Sequence, residues 1–502
     1  MLPGITTFLA VGILLGIAYR RYSLNASDPW ILVCLLLAGL ALRLYVGADL
    51  YLHPWDERYH ALVAKHLMDH PFRPMLYDNP VLPYDYRGWA SNHIWLHKQP
   101  LPLWLLAGSM QVFGVHEWAV RVPGILLTAV GIWLMFRIGQ LLFNRKAGYL
   151  SAALYAIHGL IIELAGGRVA TDHVDVCFLF FVQLGVYWSL LEVKTGRWVY
   201  TLGAGLAIGC AILVKWLPAL IVGLVWGVLA LGRKTYSWKT VLLRGGLMGL
   251  VAFLVAAPWQ WYTQAQFPLE SAWEKAYNVR HLYEDIEGHG RPFWYHFRKI
   301  GRVFSEVIYL PLIWGLSRIR WRRLNYRELA LLVWILVPLI FFSLATTKLQ
   351  AYTLMSAPAF FLMHALFFQH VRQWTVTAKW QKGLRWLVLA ALIVLPVRYS
   401  LERTKVFTPV DRYPAWQKSI DEFDRHVQSQ HPQDSVLLVG TGHPIETMFH
   451  IDRVVAYEQV PEEAVLDSLR AVGYVVYREK RGKMELVKDD LGTVPDGTVY
   501  DY

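Results

Sequence analysis

Two adjacent carboxylates stand directly beyond an apolar run, in His53-Pro54-Trp55-Asp56-Glu57-Arg58-Tyr59. Facing lipid, such a pair is costly, so it is expected to face water or a polar pocket. Asp56 can act there as a general base, taking a proton from a hydroxyl within hydrogen-bond reach. Arg58 can hold a phosphate through its two-pronged guanidinium. The plain structural alternative is an interfacial loop with ordinary charges. Further on, His97-Lys98-Gln99-Pro100-Leu101 sets a lysine before a proline-started apolar helix. A cation at membrane-surface depth suits a lipid-linked phosphate, aided by the dipole of a helix start. A lysine snorkelling to the interface is the alternative.

Arg168-Val169-Ala170-Thr171-Asp172-His173 precedes another apolar run. Thr171 as a cap and Asp172 in the first turn is the structural reading. A second carboxylate that orients an acceptor or a basic group is the functional one, and Asp175 lies one helical step deeper. Lys215 interrupts an apolar stretch, where it either snorkels or points into a cavity. Lys348 and Tyr352 are four residues apart, so they are expected on one helix face, where both can meet a phosphate or its sugar. Asn278, Arg280, His281, His289 and Arg291 gather before the aromatic segment Pro292-Phe293-Trp294-Tyr295. No histidine pair has a strong zinc pattern such as His-Glu-x-x-His. A divalent metal ion is therefore expected only through contacts remote in sequence, with His97 and His281 as its candidate ligands. Histidine also serves simply as an interfacial polar residue.

The elements that must position these residues are membrane helices. Of 502 residues, 55% are hydrophobic and 17% are charged, against about a quarter charged in soluble proteins. That composition excludes a disordered chain, a collagen-like chain and a disulfide-rich scaffold. Cys34, Cys177 and Cys210 lie in apolar runs without metal or redox spacing and read as core hydrophobes. Apolar runs of near-spanning length number about 12. They lie at 5–19, 30–46, 118–143, 147–165, 173–191, 200–214, 216–231, 247–262, 300–316, 329–344, 351–369 and 384–397.

Basic residues set the orientation. With Arg20 and Arg21 inside, alternation puts Arg145, Lys146, Lys194, Arg197, Arg233, Lys234, Lys239 and Arg244 inside too. The cluster Arg318, Arg320, Arg322, Arg323 and Arg327 falls on the same face, as do Arg372, Lys379, Lys382 and Arg385. The net charge of +12 is thus a topology signal, and no nucleic-acid partner is expected. The N-terminal run has its arginines after the apolar stretch, so it is expected to be an uncleaved helix and not a signal peptide.

Loops 47–117 and 263–299 fall on the outer face, as does the tail from about Ser400. The expected division is 1–399 as a transmembrane domain and 400–502 as a small soluble α/β domain. In that tail, strands are expected at Ser435–Gly440, Arg453–Tyr457, Tyr474–Arg478 and Met484–Lys488. Helices are expected at Pro444–Phe449 and Pro461–Val472. Gly440-Thr441-Gly442 carries only a weak phosphate-loop signal.

In order along the chain, these residues resemble the C-type glycosyltransferase superfamily, in the branch of protein O-mannosyltransferases and the bacterial transferase that puts aminoarabinose on lipid A. Asp56-Glu57-Arg58-Tyr59 is similar to that family's Asp-Glu-x-x-Tyr, with the tyrosine one place early. Lys98-Gln99-Pro100-Leu101 resembles Lys-Pro-Pro-Leu, and Arg168 to Asp172 resembles its Arg…Asp element. Lys215-Trp216 resembles a Lys-Gly pair with the glycine lost. Residues 289–296 resemble its fourth outer loop. Lys348-Leu349-Gln350-Ala351-Tyr352 followed by Pro358 resembles Lys-Leu-Pro-x-Tyr…Pro. Where the bacterial family shows His-Asn-x-x-Arg, this chain has Tyr277-Asn278-Val279-Arg280-His281.

The resemblance implies a polytopic helical fold and a glycosyltransferase. A sugar on polyprenyl phosphate would pass, with inversion, to a lipid, glycan or protein acceptor. Asp56 would be the catalytic base, and Asp172, also catalytic, would assist or position the acceptor. Arg58, Tyr59, Lys98, Lys215, Arg291, Lys348 and Tyr352 would bind the donor phosphate and sugar. Glu57, Arg168, Asn278 and Arg280 would stand behind these groups or on the acceptor side. The tail is too short for the large lumenal module of eukaryotic protein O-mannosyltransferases, so a bacterial inner membrane with a periplasmic active site is expected. The rival class is a non-enzymatic flippase or transporter of a polyprenyl-linked substrate. Its charges would gather at mid-membrane on broken helices and not at the outer ends of spans.

Overall fold

A computed structural model describes residues 2–78, 80–81, 85–88, 92–286, 288–318, 325–431, 435–451, 453–456, 460–480, 483–487 and 500–501. Arg320, Arg322 and Arg323 of the basic cluster, and the expected strand ends Tyr457 and Lys488, lie outside the described residues.

All twelve apolar runs are helical, but they are not equal. Among the described residues, eight helices are long and apolar enough to cross a membrane, and two bent pairs raise the number to ten. The runs at 30–46 and 216–231 are shorter apolar helices, Trp30–Val46 and Leu217–Leu231. The bent pairs are Arg145–Ile157 with Gly159–Ala165, at 53°, and Tyr295–Phe304 with Glu306–Ser317, at 117°. The chain is a multi-pass membrane protein.

The contacts divide the chain into two units. The first comprises Met1–Gly47, Gly124–Gln266 and Glu274–Val410. Its helices begin and end where the sequence directs. Asn144 caps the helix Arg145–Ile157, its side chain accepting from the N–H of Ala147 at 2.8 Å. Gly196 closes the helix Asp172–Thr195 in the left-handed conformation, φ 75°. Glycines allow close helix approach: a Cβ on Gly139 would lie 2.7 Å from the backbone of Gly148.

The second unit comprises Ala48–Pro123, Phe267–Trp273 and Asp411–Tyr502. It contains the helices Asp56–Leu67 and Pro100–Phe113 and a five-stranded sheet of order β2-β1-β3-β4-β5. The strands are β1 (Ser435–Val439), β2 (Val454–Val455), β3 (Tyr474–Lys480), β4 (Lys483–Leu486) and β5 (Tyr500–Asp501). β1 is parallel to β2 and β3, while β3–β4 and β4–β5 are antiparallel. β1 reads as an unbroken apolar run because both of its faces are covered. Val436 and Leu438 enter a core with Leu62, Trp95, Phe423 and Phe449, which joins the helix Asp56–Leu67 to the C-terminal residues. Leu437 and Val439 pack on the other side with Leu466. The expected tail helices are Pro444–Ile451 and Glu463–Ala471.

Candidate active site

In the second unit, Asp56 is the first residue of its helix, where the macrodipole favours a carboxylate. Lys98 precedes a helix that starts on Pro100, which fits because the first helical turn needs no N–H from that residue. The two helices pack together. The Lys98 ammonium lies 3.6 Å from Asp56 Oδ2, with a fifth and a quarter of the two side chains exposed. A basic oxygen and a cation thus meet at a half-open position.

Glu57 does not share that position. It is wholly buried. Its Oε2 lies 2.5 Å from His53 Nδ1, and its Oε1 accepts from Arg121 Nε at 2.8 Å. Arg121 also donates to the carbonyl oxygens of Asp49 and of Tyr51. Successive helical residues point about 100° apart, so Asp56 and Glu57 diverge, and of the two expected places for Glu57 its burial fits the one behind Asp56. Arg121 was not singled out from the sequence. Its signal was an arginine inside an apolar run next to the outer loop.

Arg58 reaches the C-terminal residues. Its Nη1 is 3.1 Å from Oε1 of the buried Glu446, and its guanidinium lies 5.0 Å from the Tyr59 ring centroid. Burial alone pushes the Glu446 carboxyl up, but His443, with Nδ1 3.8 Å from Oε1, and the Arg58 charge outweigh it and hold it below the usual glutamate range. His443 in turn stacks on Trp416, with centroids 4.5 Å apart at 13°. Lys65 donates to the carbonyl oxygens of Met448 and Phe449, at 2.9 and 3.0 Å. The His97 ring meets the edge of Trp95 at 5.6 Å.

In the first unit, Asp172 is wholly buried at the start of the helix Asp172–Thr195. Thr171 makes no side-chain capping bond there, because its backbone is left-handed, φ 70° and ψ −10°. Asp172 also has positive φ, at 20°. Asp175, deeper in the same turn, pairs with Lys215. Lys215 is the last residue of the helix Trp198–Lys215, and its ammonium sits 5.0 Å over the Tyr352 ring. The next residue, Trp216, has φ 63° and ψ −152°. That region is essentially reserved for glycine and costs roughly 1–3 kcal/mol. The glycine missing from the Lys-Gly resemblance is thus missing where the backbone still has a glycine conformation.

Lys348 and Tyr352 do not share a helix face as expected. Residues 350–356 form a 3₁₀ helix and Leu349 before it is extended, so the four-residue spacing of an α-helix does not apply. Lys348 is 3% exposed, and burial pushes its ammonium pKa down. It donates to the carbonyl oxygen of Arg291 at 2.8 Å and to that of Ala345, which closes the helix Tyr326–Leu344. Gly290 bridges Thr347 in an antiparallel pair. A Cβ at Gly290 would lie 2.5 Å from Asp285 Oδ2, so a larger residue there would push the Asp285 side chain aside. Arg291 donates to the carbonyl oxygens of Gly288 and Gly290.

Asn278 donates to the Glu274 carbonyl at 2.8 Å, Arg280 pairs with Glu284 at 2.7 Å, and His281 Nδ1 lies 2.9 Å from the Tyr277 carbonyl oxygen. Arg168 donates to the Thr404 carbonyl at 3.4 Å. Glu163 and Arg403, which no sequence motif marks, pair at 2.5 Å, with Arg403 also donating to Gln350 at 3.0 Å. Among the described residues no three His, Cys, Asp or Glu side chains converge as a metal site.

The family described as dolichyl-phosphate-mannose-protein mannosyltransferase matches residues 97–262. An undecaprenyl phosphate-alpha-4-amino-4-deoxy-L-arabinose arabinosyl transferase of Pseudomonas fluorescens is 29% identical over 285 residues, covering 53% of this chain and 49% of the relative. One of Pseudomonas paraeruginosa is 29% identical over 341 residues, covering 64% and 59%. The chain therefore spans about half to three-fifths of the length of these relatives. In fold, it matches ArnT from Cupriavidus metallidurans bound to undecaprenyl phosphate with a TM-score of 0.66 at 15% identity, covering 91% of this chain and 96% of that one. The archaeal oligosaccharyltransferase AglB from Archaeoglobus fulgidus matches with a TM-score of 0.54 at 13% identity, covering 89% and 69%. The chain resembles the C-type membrane glycosyltransferases of the protein O-mannosyltransferase and aminoarabinose-transferase branch, in sequence over part of its length and in fold over most of it.

Proposed function

We propose that this protein transfers a sugar from a polyprenyl-phosphate donor to an acceptor hydroxyl at the outer face of a bacterial inner membrane. The observation that carries the reading is the half-open Asp56–Lys98 pair, a base beside a cation at the starts of two packed helices. The names of the sequence relatives favour an undecaprenyl-phosphate-linked pentose as the donor.

In the second unit we assign Asp56 as the base and Lys98, Arg58 and Tyr59 to the donor. In the first unit we assign Asp172 to acceptor positioning and Lys215, Tyr352, Arg291 and Lys348 to the phosphate and sugar. Asp56 takes the acceptor's proton, and the acceptor oxygen bonds to the anomeric carbon. The bond from that carbon to the phosphate oxygen breaks with its electron pair, and polyprenyl phosphate leaves. Attack opposite the leaving group inverts the centre. Charge grows on the phosphate as the bond breaks, so fixed cations stabilise the transition state more than the ground state. We assign Arg168, Asn278 and Arg280 behind these groups or on the acceptor side, and the soluble C-terminal residues to the periplasm. The acceptor is a lipid, glycan or protein hydroxyl.

The test is sugar release from labelled undecaprenyl-phosphate sugars by purified wild type and Asp56→Asn, with a native membrane extract as acceptor. Release by wild type alone, with label entering one extract fraction, supports the reading. Equal transfer by both proteins removes Asp56, and binding without release points to a flippase.

A further inference from the structure

Among the described residues Lys215 meets the Asp175 carboxylate and the face of Tyr352, and a fifth of its side chain remains exposed. Asp175 is 3% exposed; its Oδ1 is engaged by Lys215, and its Oδ2 is buried with no hydrogen-bond partner among the described residues. A carboxylate so placed carries a large desolvation penalty unless its cation stays. The first turn of its helix offsets part of that penalty through the macrodipole. The cation is held from the other side as well. Trp216 keeps a glycine-type backbone conformation without being glycine, and this strained joint ends the helix with Lys215 beside Asp175.

This ion pair has a consequence for the transfer reaction, and it rests on the assignment of Lys215 to the donor phosphate. The donor is a phosphodiester with one negative charge. The spent carrier is a phosphomonoester with about −1.5 to −2 at neutral pH. Lys215 therefore meets its most strongly attracting ligand after the chemistry, when that ligand must leave. A lysine alone would retain it. A lysine whose own buried carboxylate demands it back would not, because departure of the phosphate restores a desolvated ion pair. Lysine suits such an exchange, as its ammonium is a compact charge on a flexible stem and is not a two-pronged clamp.

We propose that Asp175 is a positioning residue that competes with the phosphate of the spent lipid carrier for Lys215 and so speeds its release. Removing its charge changes the pair from neutral to cationic. Asp175→Asn then binds undecaprenyl phosphate more tightly, on the order of tenfold at low salt. Its kcat falls while donor KM stays level or drops, and product inhibition deepens. A merely structural carboxylate would give weaker binding or no change.

The experiment measures binding of undecaprenyl phosphate, with the uncharged polyprenol as reference, to wild type, Asp175→Asn, Asp175→Glu and Lys215→Ala in detergent. Thermal unfolding is followed in parallel. Tighter binding by Asp175→Asn, restoration towards wild type by Asp175→Glu and loss of the phosphate-dependent part in Lys215→Ala are expected. Should Asp175→Asn not fold, the smaller uncharged Asp175→Ser gives the same test. Phosphate-dependent binding by wild type that is unchanged or weakened in the Asn or Ser variant overturns this inference and leaves the donor assignment standing. Wild type that does not distinguish the phosphate from the polyprenol overturns both.

Discussion

Arg121 Nε donates to Glu57 Oε1 at 2.8 Å, and both side chains are wholly buried. His53 completes the arrangement by facing Glu57 through Nδ1 and Asp49 through Nε2, at 2.5 and 3.2 Å. The helix that presents Asp56 is thereby fixed through the residue next to it. Breaking one member of a buried pair leaves the other charged and dry, a loss of about 3–5 kcal/mol. Arg121→Leu is therefore expected to lower the unfolding temperature markedly and to lose activity with it, whereas Asp56→Asn leaves the unfolding temperature near wild type. Equal unfolding temperatures for Arg121→Leu and wild type in detergent would remove the network from this role.

Trp216 makes a different prediction, because its backbone and its side chain ask for different residues. Glycine adopts φ 63° without strain, while a β-branched residue is among the worst there. Trp216→Gly is expected to fold and to keep donor binding. Trp216→Val is expected to be less stable than Trp216→Gly by about 1–3 kcal/mol. Thermal unfolding of the two variants decides it, and equal stability would mean that the joint relaxes and does not aim Lys215.

Much of this was legible in the sequence, for identifiable reasons. Hydrophobic runs reached all eight helices that, among the described residues, are long and apolar enough to cross a membrane, because the bilayer demands long apolar segments, and β1 was visible as an apolar run bounded by turn residues. What the sequence could not show was three-dimensional partnership. Lys348 and Tyr352 were assigned one helix face by an α-helical spacing that a 3₁₀ segment does not keep. Arg58 was assigned to a phosphate, while its ion-pair partner Glu446 lies 388 residues away. Glu57 stands next to Asp56 in the sequence, and its burial against His53 and Arg121 shows only in the fold.

The pair of Arg58 and Glu446 gives a pH prediction. The folded-state pKa of Glu446 is held below the ordinary glutamate value of 4.5 by His443 and Arg58, against the effect of burial. A carboxyl with a depressed pKa stabilises the folded state above its unfolded pKa. That contribution is lost as pH falls through the folded value. Wild type is therefore expected to lose thermal stability on acidification below about pH 4.5. Glu446→Gln would begin less stable at neutral pH and change less over that range. Parallel pH curves for the two proteins would show that Glu446 is not the group responsible.

Lys98 is the residue whose role the kinetics can divide most cleanly. Its ammonium lies 3.6 Å from Asp56, so its removal acts either through the base or through the donor. A cation that serves only the carboxylate would, when lost, change kcat and the pH profile while leaving donor KM alone. A cation that meets the donor phosphate would raise donor KM and leave acceptor KM untouched. Its loss removes a charge-assisted contact of about 1.5–3 kcal/mol, roughly ten- to a hundredfold. We expect the second pattern for Lys98→Ala. Lys98→Arg is expected to recover part of the donor affinity, since it restores the charge, though not the compact geometry of an ammonium. A Lys98→Ala enzyme with normal donor KM and a shifted pH profile would place Lys98 with the base alone and leave the phosphate to the cations of the first unit.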